Sequence, residues 1–294
     1  MGYCGLLFRQ QLNQFAMKIP SNNGKLRLAV LQRVCAGYRV SLFQMLADNK
    51  NIEMRLFIGD DLPVSKVRNA TDLKSIPHSR LKTWHISFGA RMLTWHRGLI
   101  KELDKFSPDV ILCEGESHFL GYLQAIVYKY FFNHNVALMH WCFISLPGWR
   151  SVGGKGMRSH IKAFFRKFFD AFVVYSSFSK DSLVSLGQSG EKIFVATNVC
   201  DVEHFLDKSS RLTESGPEAR LKVQLPERFT VLYIGEMDSE KRPDLMVDLA
   251  KCCEKFNFVL LGSGALLEEL QARVSREGLP NVFLPGRVGK EHIR

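Results

Sequence analysis

Residues 229–267 restrict the possible folds of this chain most strongly. An apolar run, Val231–Ile234, is followed by a charged turn and by a segment, 244–253, whose apolar residues recur at helical spacing. A second apolar run, 258–261, is again followed by apolar residues three or four positions apart. Two successive strand and helix patterns predict parallel strands joined by a right-handed helical crossover.

Both of these apolar runs end in glycine turns. Gly235 follows the first run, and Gly262-Ser263-Gly264 follow the second. In open parallel sheets, ligands bind at the carboxyl ends of the strands, where these turns lie. Small residues let a phosphate approach backbone N–H groups, and the following helix presents the positive end of its dipole. The region therefore predicts a nucleotide site.

The same alternation of strands and helices extends over most of the chain, which has 294 residues and is 46% apolar. We expect a lead-in over 1–24, a doubly wound α/β domain over 25–206 and a linker over 207–227. A nucleotide-binding domain follows over 228–294, with only three strands, so we expect it to be incomplete. Within the first domain, the sequence predicts a strand over 81–86 and a helix over 91–106.

Charge and cysteine content indicate which partners and which cellular compartment to expect. The net charge of +11 favours anionic partners. The seven cysteines are odd in number and lack CxxC spacing, so we expect reduced thiols in the cytoplasm and no zinc site. No uncharged apolar run is long enough to span a membrane, so membrane contact is expected to be peripheral, at the inner face. Nucleic-acid binding is not expected, because no nucleic-acid-binding module is recognisable.

Several short motifs carry a family resemblance. They are Val231–Gly235, Glu240–Asp244, Leu260–Gly264, Asn281–Gly286, and Lys192–Val195 with Asn198 and Asp201. In this order and spacing, the chain resembles the retaining glycosyltransferases of family 4, the group 1 type. That resemblance implies the GT-B fold, with two Rossmann-like domains and the nucleotide site on the second.

The resemblance also implies a reaction. A sugar would pass from a nucleotide diphosphate sugar to a hydroxyl of a glycan or lipid-linked acceptor, with retention at the anomeric carbon, in polysaccharide or glycoconjugate biosynthesis. The donor is a substrate, and neither a cofactor nor a metal is expected. Cations and backbone donors would stabilise the charge that develops on the departing diphosphate.

The site residues follow from matched positions and from their places at strand ends. Lys241 is the expected diphosphate ligand, and His140 and Glu116 are the expected catalytic residues. Glu114 and Glu116 could each bind the acceptor or act as a base. The further donor-side residues are Gly235, Arg242, Gly262, Ser263, Gly264, Gly286 and Arg287. The acceptor-side residues are Tyr38, Arg39 and Glu114.

Two features depart from the family pattern. Glu236 stands where the family usually has an arginine, and a carboxylate there repels a diphosphate unless it points away. The paired glutamates that bind donor sugar and ribose in the family do not occur in these residues. The missing glutamates, together with the incomplete second domain, lead us to expect a chain truncated at its C-terminal end. Glu236 and the missing pair both argue against activity of the chain as given.

The segment Arg158–Phe172 is amphipathic, with phenylalanines at helical spacing and basic residues between them. Such a helix could lie on an anionic membrane surface. It could equally pack on a sheet, and the adjacent strand, 171–175, favours packing in the core.

Three other functions share parts of this pattern. A nucleotide-sugar-binding protein without turnover is compatible with Glu236. A non-hydrolysing nucleotide-sugar epimerase has the same architecture. An NAD-dependent dehydrogenase fits less well, because its glycine fingerprint follows the first strand of the unit, whereas Gly262-Ser263-Gly264 follow the second and Leu267 occupies the third glycine position.

Overall fold

The structure is a computed structural model that describes residues 24–61, 68–88, 91–115, 119–142, 163–197 and 225–288. The chain divides into two compact units, Met1–Glu203 and His204–Arg294. No helix in the described ranges is long and apolar enough to cross a membrane.

The first unit is an α/β structure. Its strands are β1 (Leu26–Gln32), β2 (Ile52–Ile58), β3 (His78–Arg80), β4 (Thr83–Phe88), β5 (Arg91–His96), β6 (Val110–Glu114), β7 (Ala137–Cys142), β8 (Ala171–Val174) and β9 (Ile193–Val195). Its helices are α1 (Val40–Ala47), α2 (Leu99–Phe106), α3 (Phe119–Phe131) and α4 (Ser177–Ser185), with short 3-10 turns at Gly37–Arg39 and Gly190–Lys192.

Seven of the strands described in this unit form one parallel sheet in the order β3-β2-β1-β6-β7-β8-β9. The chain builds outward from β1 to β2 and β3, and then crosses back to place β6 on the other side of β1. The strand order thus reverses between β1 and β6, which is the position where open parallel sheets bind ligands.

Both faces of this sheet are buried. In β1, Leu28 and Val30 belong to one apolar cluster, while Ala29 and Leu31 belong to the other. All four side chains are fully buried. A continuous apolar strand is the pattern expected where helices cover both faces of a parallel sheet.

The prediction of a single helix over 91–106 is wrong in its first part. Arg91–His96 is the strand β5, paired antiparallel with β4 so that Trp84 lies opposite Trp95. The edge of β5 is tied to α3, because Gln124 accepts a hydrogen bond from the His96 N–H at 3.1 Å and donates one to its carbonyl at 2.8 Å. Pairing with a partner strand thus overrode the local helical spacing. The helix itself begins at Leu99, after Gly98 at a φ of 75°.

Elsewhere, the sequence-based elements are confirmed within a few residues. The strand expected over 81–86 lies at Thr83–Phe88. The Ser176 hydroxyl accepts a hydrogen bond from the Ser179 N–H at 3.2 Å and caps α4, as expected for a serine at that position. Gly187 follows the end of the same helix with a φ of 86°, the left-handed conformation in which glycine commonly terminates a helix.

The second unit is smaller. Its elements are β10 (Thr230–Ile234), α5 (Asp244–Cys252), β11 (Asn257–Leu261), α6 (Leu267–Glu277) and β12 (Val282–Gly286). The three strands described here are parallel in the order β10-β11-β12. Phe258 and Leu260 of β11 pack against Val247 and Leu270 of the two helices. The strand–helix–strand–helix prediction for 229–267 is confirmed.

The segment Arg158–Phe172 lies partly outside the described residues, which resume at 163. In the described part, Phe169 and Phe172 are buried, and Phe165 and Phe168 pack against the same apolar cluster. This part of the segment therefore contributes to the core, as favoured from the sequence. Phe164 is the exception, since 55% of its surface is exposed.

Candidate functional site

The carboxyl edge of the first sheet gathers polar side chains where its strand order reverses. β1 ends at Gln32 and β6 ends at Glu114. In the parallel register, Glu114 lies opposite Trp141 of β7. Arg39, from the 3-10 turn after β1, reaches the same place. The sequence predicted Arg39 and Glu114 on the acceptor side, and the structure brings these two side chains into contact.

Arg39 and Glu114 form an ion pair with 2.6 Å between Nη1 and Oε1. Their side chains are only 11% and 17% exposed. The second Glu114 oxygen accepts a hydrogen bond from the Arg33 N–H at 2.9 Å. Arg39 Nη1 also donates to the Gln32 side-chain carbonyl. Burial by itself lowers the pKa of Arg39, but the neighbouring carboxylate outweighs this effect and the pKa is raised.

Aromatic rings surround this ion pair. The Arg39 guanidinium carbon lies 5.0 Å from the Trp141 ring centroid and 5.5 Å from that of Tyr38. Tyr175 packs against Trp141 with 6.0 Å between centroids. Burial raises the pKa of Tyr175 although the Arg39 charge opposes this effect. At these distances the negative faces of the rings attract the guanidinium, and such cation–π contacts are stronger where the charge is desolvated.

We call Gln32, Tyr38, Arg39, Glu114 and Trp141 the Arg39–Glu114 cluster. The contacts within it limit the chemical role that Glu114 can have. Both of its oxygens accept hydrogen bonds and one of them pairs with a cation, so Glu114 is held as an oriented acceptor. Sequence reasoning missed Gln32 and Trp141 as members. A polar residue at the end of an apolar strand was the signal for Gln32, whereas nothing in the sequence marked Trp141. Glu116 lies outside the described residues, so its role stays a prediction.

His140 precedes Trp141 on β7 but faces the other side of the sheet. It is 8% exposed, and its ring stacks on Phe169 with 4.7 Å between centroids. Tyr122 and Phe172 approach it edge-on at 5.7 and 6.2 Å. Alternate residues of a strand point to opposite faces, so His140 lies on the face opposite Trp141. Its burial among aromatic rings is that of a core histidine. Its catalytic role stays a prediction.

In the second unit, hydrogen bonds join the turns at the carboxyl ends of all three described strands. The Gly235 N–H donates to the Leu261 carbonyl at 3.0 Å, and the Gly262 N–H donates to the Gly286 carbonyl at 2.9 Å. The Met237 N–H donates to the Ser263 carbonyl at 3.1 Å. The predicted donor-side glycines thus lie at one edge.

Two of these glycines are required by backbone packing. A Cβ at Gly262 would lie 1.8 Å from the Gly235 carbonyl oxygen, and one at Gly264 would lie 2.3 Å from that of Met237. No larger residue fits at either position without a backbone shift. The glycines therefore have a structural cause that holds with or without a ligand. The helix α6 begins soon after this turn, at Leu267.

The loop after β10 presents Lys241 and Arg242 differently. Asp238 Oδ1 accepts hydrogen bonds from the N–H groups of Glu240 and Lys241 at 3.1 and 3.0 Å and so orders the turn. The Lys241 side chain is exposed, and among the described residues its ammonium forms no ion pair.

Arg242, in contrast, is committed to a neighbour. Its Nε and Nη2 donate to the Asp244 carboxylate at 3.0 and 2.8 Å. Hydrogen bonding from Arg242 lowers the pKa of Asp244. Lys241 is thus the more available cation of the two. Glu236, Ser263 and Arg287 are exposed at the same edge.

Across the ranges the structure describes, no three His, Cys, Asp or Glu residues come together in a way that could bind a metal ion.

Comparison with known proteins relates the fold to known enzymes. No protein-family profile and no curated protein matches this sequence. Among solved structures, Anabaena Alr3699/HepE in complex with UDP matches with a TM-score of 0.61 at 15% identity, over 90% of this chain and 70% of that one. The apo form of the lipopolysaccharide outer core galactosyltransferase WaaB matches with a TM-score of 0.56 at 17% identity, over 90% of this chain and 69% of that one.

An enzyme of another class has a related fold. UDP-N-acetylglucosamine 2-epimerase from Rickettsia bellii matches with a TM-score of 0.50 at 12% identity, over 92% of this chain and 71% of that one. At these identities, the likenesses show the fold. The chain has the GT-B-type α/β fold with parallel sheets, and the fold-class prediction is confirmed.

Proposed function

We propose that this chain belongs to a retaining glycosyltransferase of the family 4 type. It would transfer a sugar from a nucleotide diphosphate sugar to a hydroxyl of a glycan or lipid-linked acceptor, in polysaccharide or glycoconjugate biosynthesis. The fold shared with HepE, whose structure contains UDP, and with the galactosyltransferase WaaB supports this proposal.

The observation that carries the donor side is the position of Lys241. Its ammonium, which forms no ion pair within the described part of the chain, lies on the loop that follows β10, at the edge where the glycine turns meet. Among the described residues, the N–H groups of Gly264 and Ala265, just before α6, also have no acceptor. A cation beside free N–H donors can hold a diphosphate and stabilise the charge that it gains as it departs.

The proposed binding surface for the acceptor is the Arg39–Glu114 cluster. The two charges offset each other, so the cluster offers oriented hydrogen-bonding groups and aromatic rings without a large net charge. Such a surface suits a hydroxylated, uncharged sugar better than a phosphate. Tyr38, which is 44% exposed beside Arg39, provides a ring for stacking.

We also propose that the protein acts in the cytoplasm, at the inner face of the membrane. Free, buried thiols at Cys35 and Cys113 support a reducing compartment.

The donor assignment can be tested by calorimetric titration of UDP and UDP-sugars into the chain and two lysine variants. We expect Lys241→Ala to weaken binding about tenfold or more, because a charge-assisted bond to phosphate is lost. Lys255→Ala is the matched control, since Lys255 is exposed in the turn before β11, at the opposite end of the strands. Equal affinities for the two variants would overturn the role of Lys241.

Product analysis separates the candidate functions. Release of UDP that depends on an added glycan acceptor supports the transferase. The fold match to an epimerase favours that enzyme as a second candidate, and an epimerised nucleotide sugar formed without an acceptor would establish it. Binding without either product would indicate a nucleotide-sugar-binding protein.

A further inference from the structure

The hairpin formed by β4 and β5 carries an exposed aromatic and basic surface. Trp84 lies opposite Trp95 in the antiparallel register. Just beyond the paired strands, the Arg97 N–H donates to the Lys82 carbonyl at 2.9 Å. Trp84 is 57% exposed, Trp95 is half-buried, and both cationic side chains are exposed. We call these four residues the tryptophan face.

The other side of the hairpin is fixed to the rest of the unit. Thr94 and His96 are 2% and 0% exposed. Gln124 of α3, which is also buried, exchanges two hydrogen bonds with the His96 backbone. Alternate residues of a strand point to opposite sides. The tryptophan face is therefore the outer side of a hairpin whose inner side is anchored.

The Trp84 ring has a neighbour that restricts its orientation. The Arg97 guanidinium carbon lies 4.9 Å from the ring centroid. A ring that is already ordered loses little conformational entropy when a ligand stacks on it. Sugar rings suit such a surface, because they present C–H groups on one side and hydroxyls at the edge, and indole offers a flat apolar surface. The exposed part of Trp84 is thus a stacking surface for a sugar.

The charge of the tryptophan face indicates which sugars fit it. The described residues 78–85 and 93–99 contain Arg80, Lys82 and Arg97, and no Asp or Glu. Arg80 lies 3.5 Å from Asp60. Within the part of the chain that the structure describes, Lys82 and Arg97 form no ion pair. Two such cations beside an exposed ring are complementary to a sugar that carries a carboxylate, which a guanidinium can bind through two N–H groups.

The hairpin begins at the same edge of the sheet as the proposed acceptor surface. The Asp60 carboxylate, after β2, accepts a hydrogen bond from the Thr83 N–H at 3.1 Å. The neighbouring Gly59 N–H donates to the Arg33 carbonyl at 3.0 Å, and the Arg33 N–H donates to Glu114 at 2.9 Å. Glu114 ends β6, two strands away from β2, so about 10 Å separates it from the start of the hairpin. An oligosaccharide can span this distance.

We propose that the tryptophan face is a distal subsite for an acidic acceptor glycan. A uronic acid residue of the glycan stacks on Trp84, and its carboxylate pairs with Arg97 and Lys82, while an uncharged end sugar lies at the Arg39–Glu114 cluster. This inference rests on the proposed transferase function and narrows the acceptor to glycans with carboxylate-bearing sugars. A second copy of the chain is a poorer occupant, because two such faces would bring like charges together.

Calorimetric titration of short oligosaccharides into the full chain tests this subsite without donor or turnover. The probes are fragments of galacturonan, alginate and hyaluronan, each compared with its carboxyl-reduced form. We expect an acidic probe to bind, its affinity to fall as salt increases, and its reduced form to bind about tenfold more weakly. Trp84→Ala should weaken binding of the acidic probe about tenfold, whereas Trp84→Phe should retain most of it. Phe229→Ala is the matched control, since Phe229 is 68% exposed in the other unit.

A charge substitution separates direct contact from a change in structure. Arg97→Gln should weaken binding of the acidic probe about tenfold and leave the affinity for its reduced form unchanged. Lys255→Gln, an exposed lysine of the other unit, should affect neither probe. An equal loss for the two probes in Arg97→Gln would show that the residue acts through the shape of the hairpin and would overturn its role as a carboxylate ligand.

Further measurements keep the subsite distinct from the proposed function. UDP titration should give the same affinity for Trp84→Ala as for the wild type. Failure of the wild type to bind UDP would overturn the donor assignment alone, because the oligosaccharide titration contains no donor. Absence of binding by every acidic probe, or equal affinities of wild type and Trp84→Ala, would overturn the subsite. So would Trp84-dependent binding of a single-stranded oligonucleotide or of anionic vesicles in place of the acidic probes, or a dimer that Trp84→Ala dissociates.

Discussion

Arg39 and Glu114, 75 positions apart in sequence, form a largely buried ion pair at the point where the strand order of the first sheet reverses. Removing one partner leaves the other charge without compensation. We expect Arg39→Met to lower the free energy of unfolding by about 3 kcal/mol. Arg39→Met/Glu114→Gln should cost less than the sum of the two single changes. Urea unfolding followed by fluorescence measures this cycle, and strict additivity would contradict the coupling.

The turn after β11 should not tolerate side chains. Gly262→Ala and Gly264→Ala each place a Cβ within 2.3 Å of a carbonyl oxygen, so each should lower the free energy of unfolding by about 3 kcal/mol or more. Gly286→Ala is the control, because it meets no atom within 4 Å and only has to adopt a φ of 84°. It should cost about 1 kcal/mol. Thermal unfolding of the three variants compares these values, and equal losses would argue against the clash.

Arg242 adopts a φ of 53°, which is unfavourable for a residue with a side chain. Its ion pair with Asp244 is exposed and contributes little. Arg242→Gly should therefore be more stable than Arg242→Ala by about 1 kcal/mol, since both lose the ion pair and only glycine relieves the backbone. Both variants should bind UDP better than Lys241→Ala does. A stability order with alanine above glycine would show that the left-handed conformation is absent.

Cys35 should make stability depend on alkaline pH. Burial raises the pKa of its thiol from 9.0 to about 11, so the folded protein keeps this proton where the unfolded chain has lost it. The stability that depends on this thiol is fully present below pH 9. As pH rises from 9 towards 11, it lowers the free energy of unfolding by at most about 1.4 kcal/mol per pH unit. Urea unfolding across this range should show a shallower fall for Cys35→Ala than for the wild type. Parallel curves would contradict the shift.

Much of the fold could be predicted from the sequence, because continuous apolar runs and helical spacing report burial directly. The helix expected over 244–253 differs from α5 by one residue, and the apolar run 258–261 lies within β11. Residues 91–96 were assigned to a helix because their partner strand, Thr83–Phe88, is a separate segment whose pairing no local pattern reveals. Strand pairing depends on contacts across the sheet, and spacing along the chain does not contain them.

The candidate site was predictable in part. The rule that parallel strands gather their carboxyl ends placed Glu114 with the residues after β1, and this needs only the order of the strands. Which groups touch was not predictable. Gln32 and Trp141 join Arg39 and Glu114 through register and side-chain direction, and His140 turns into the core for the same reason. The roles of Glu116 and Lys241 stay predictions.

The sequence by itself determined the alternation of strands and helices, the parallel sheets and the two glycine turns, because these follow from periodicity and backbone freedom over short stretches. Only the tertiary structure decided that Arg39 and Glu114 neutralise each other, that Arg242 is held by Asp244, and that Lys241 has no ion-pair partner among the residues the structure describes. These outcomes depend on which distant side chains compete for the same partner, and that competition takes place only once the chain has folded.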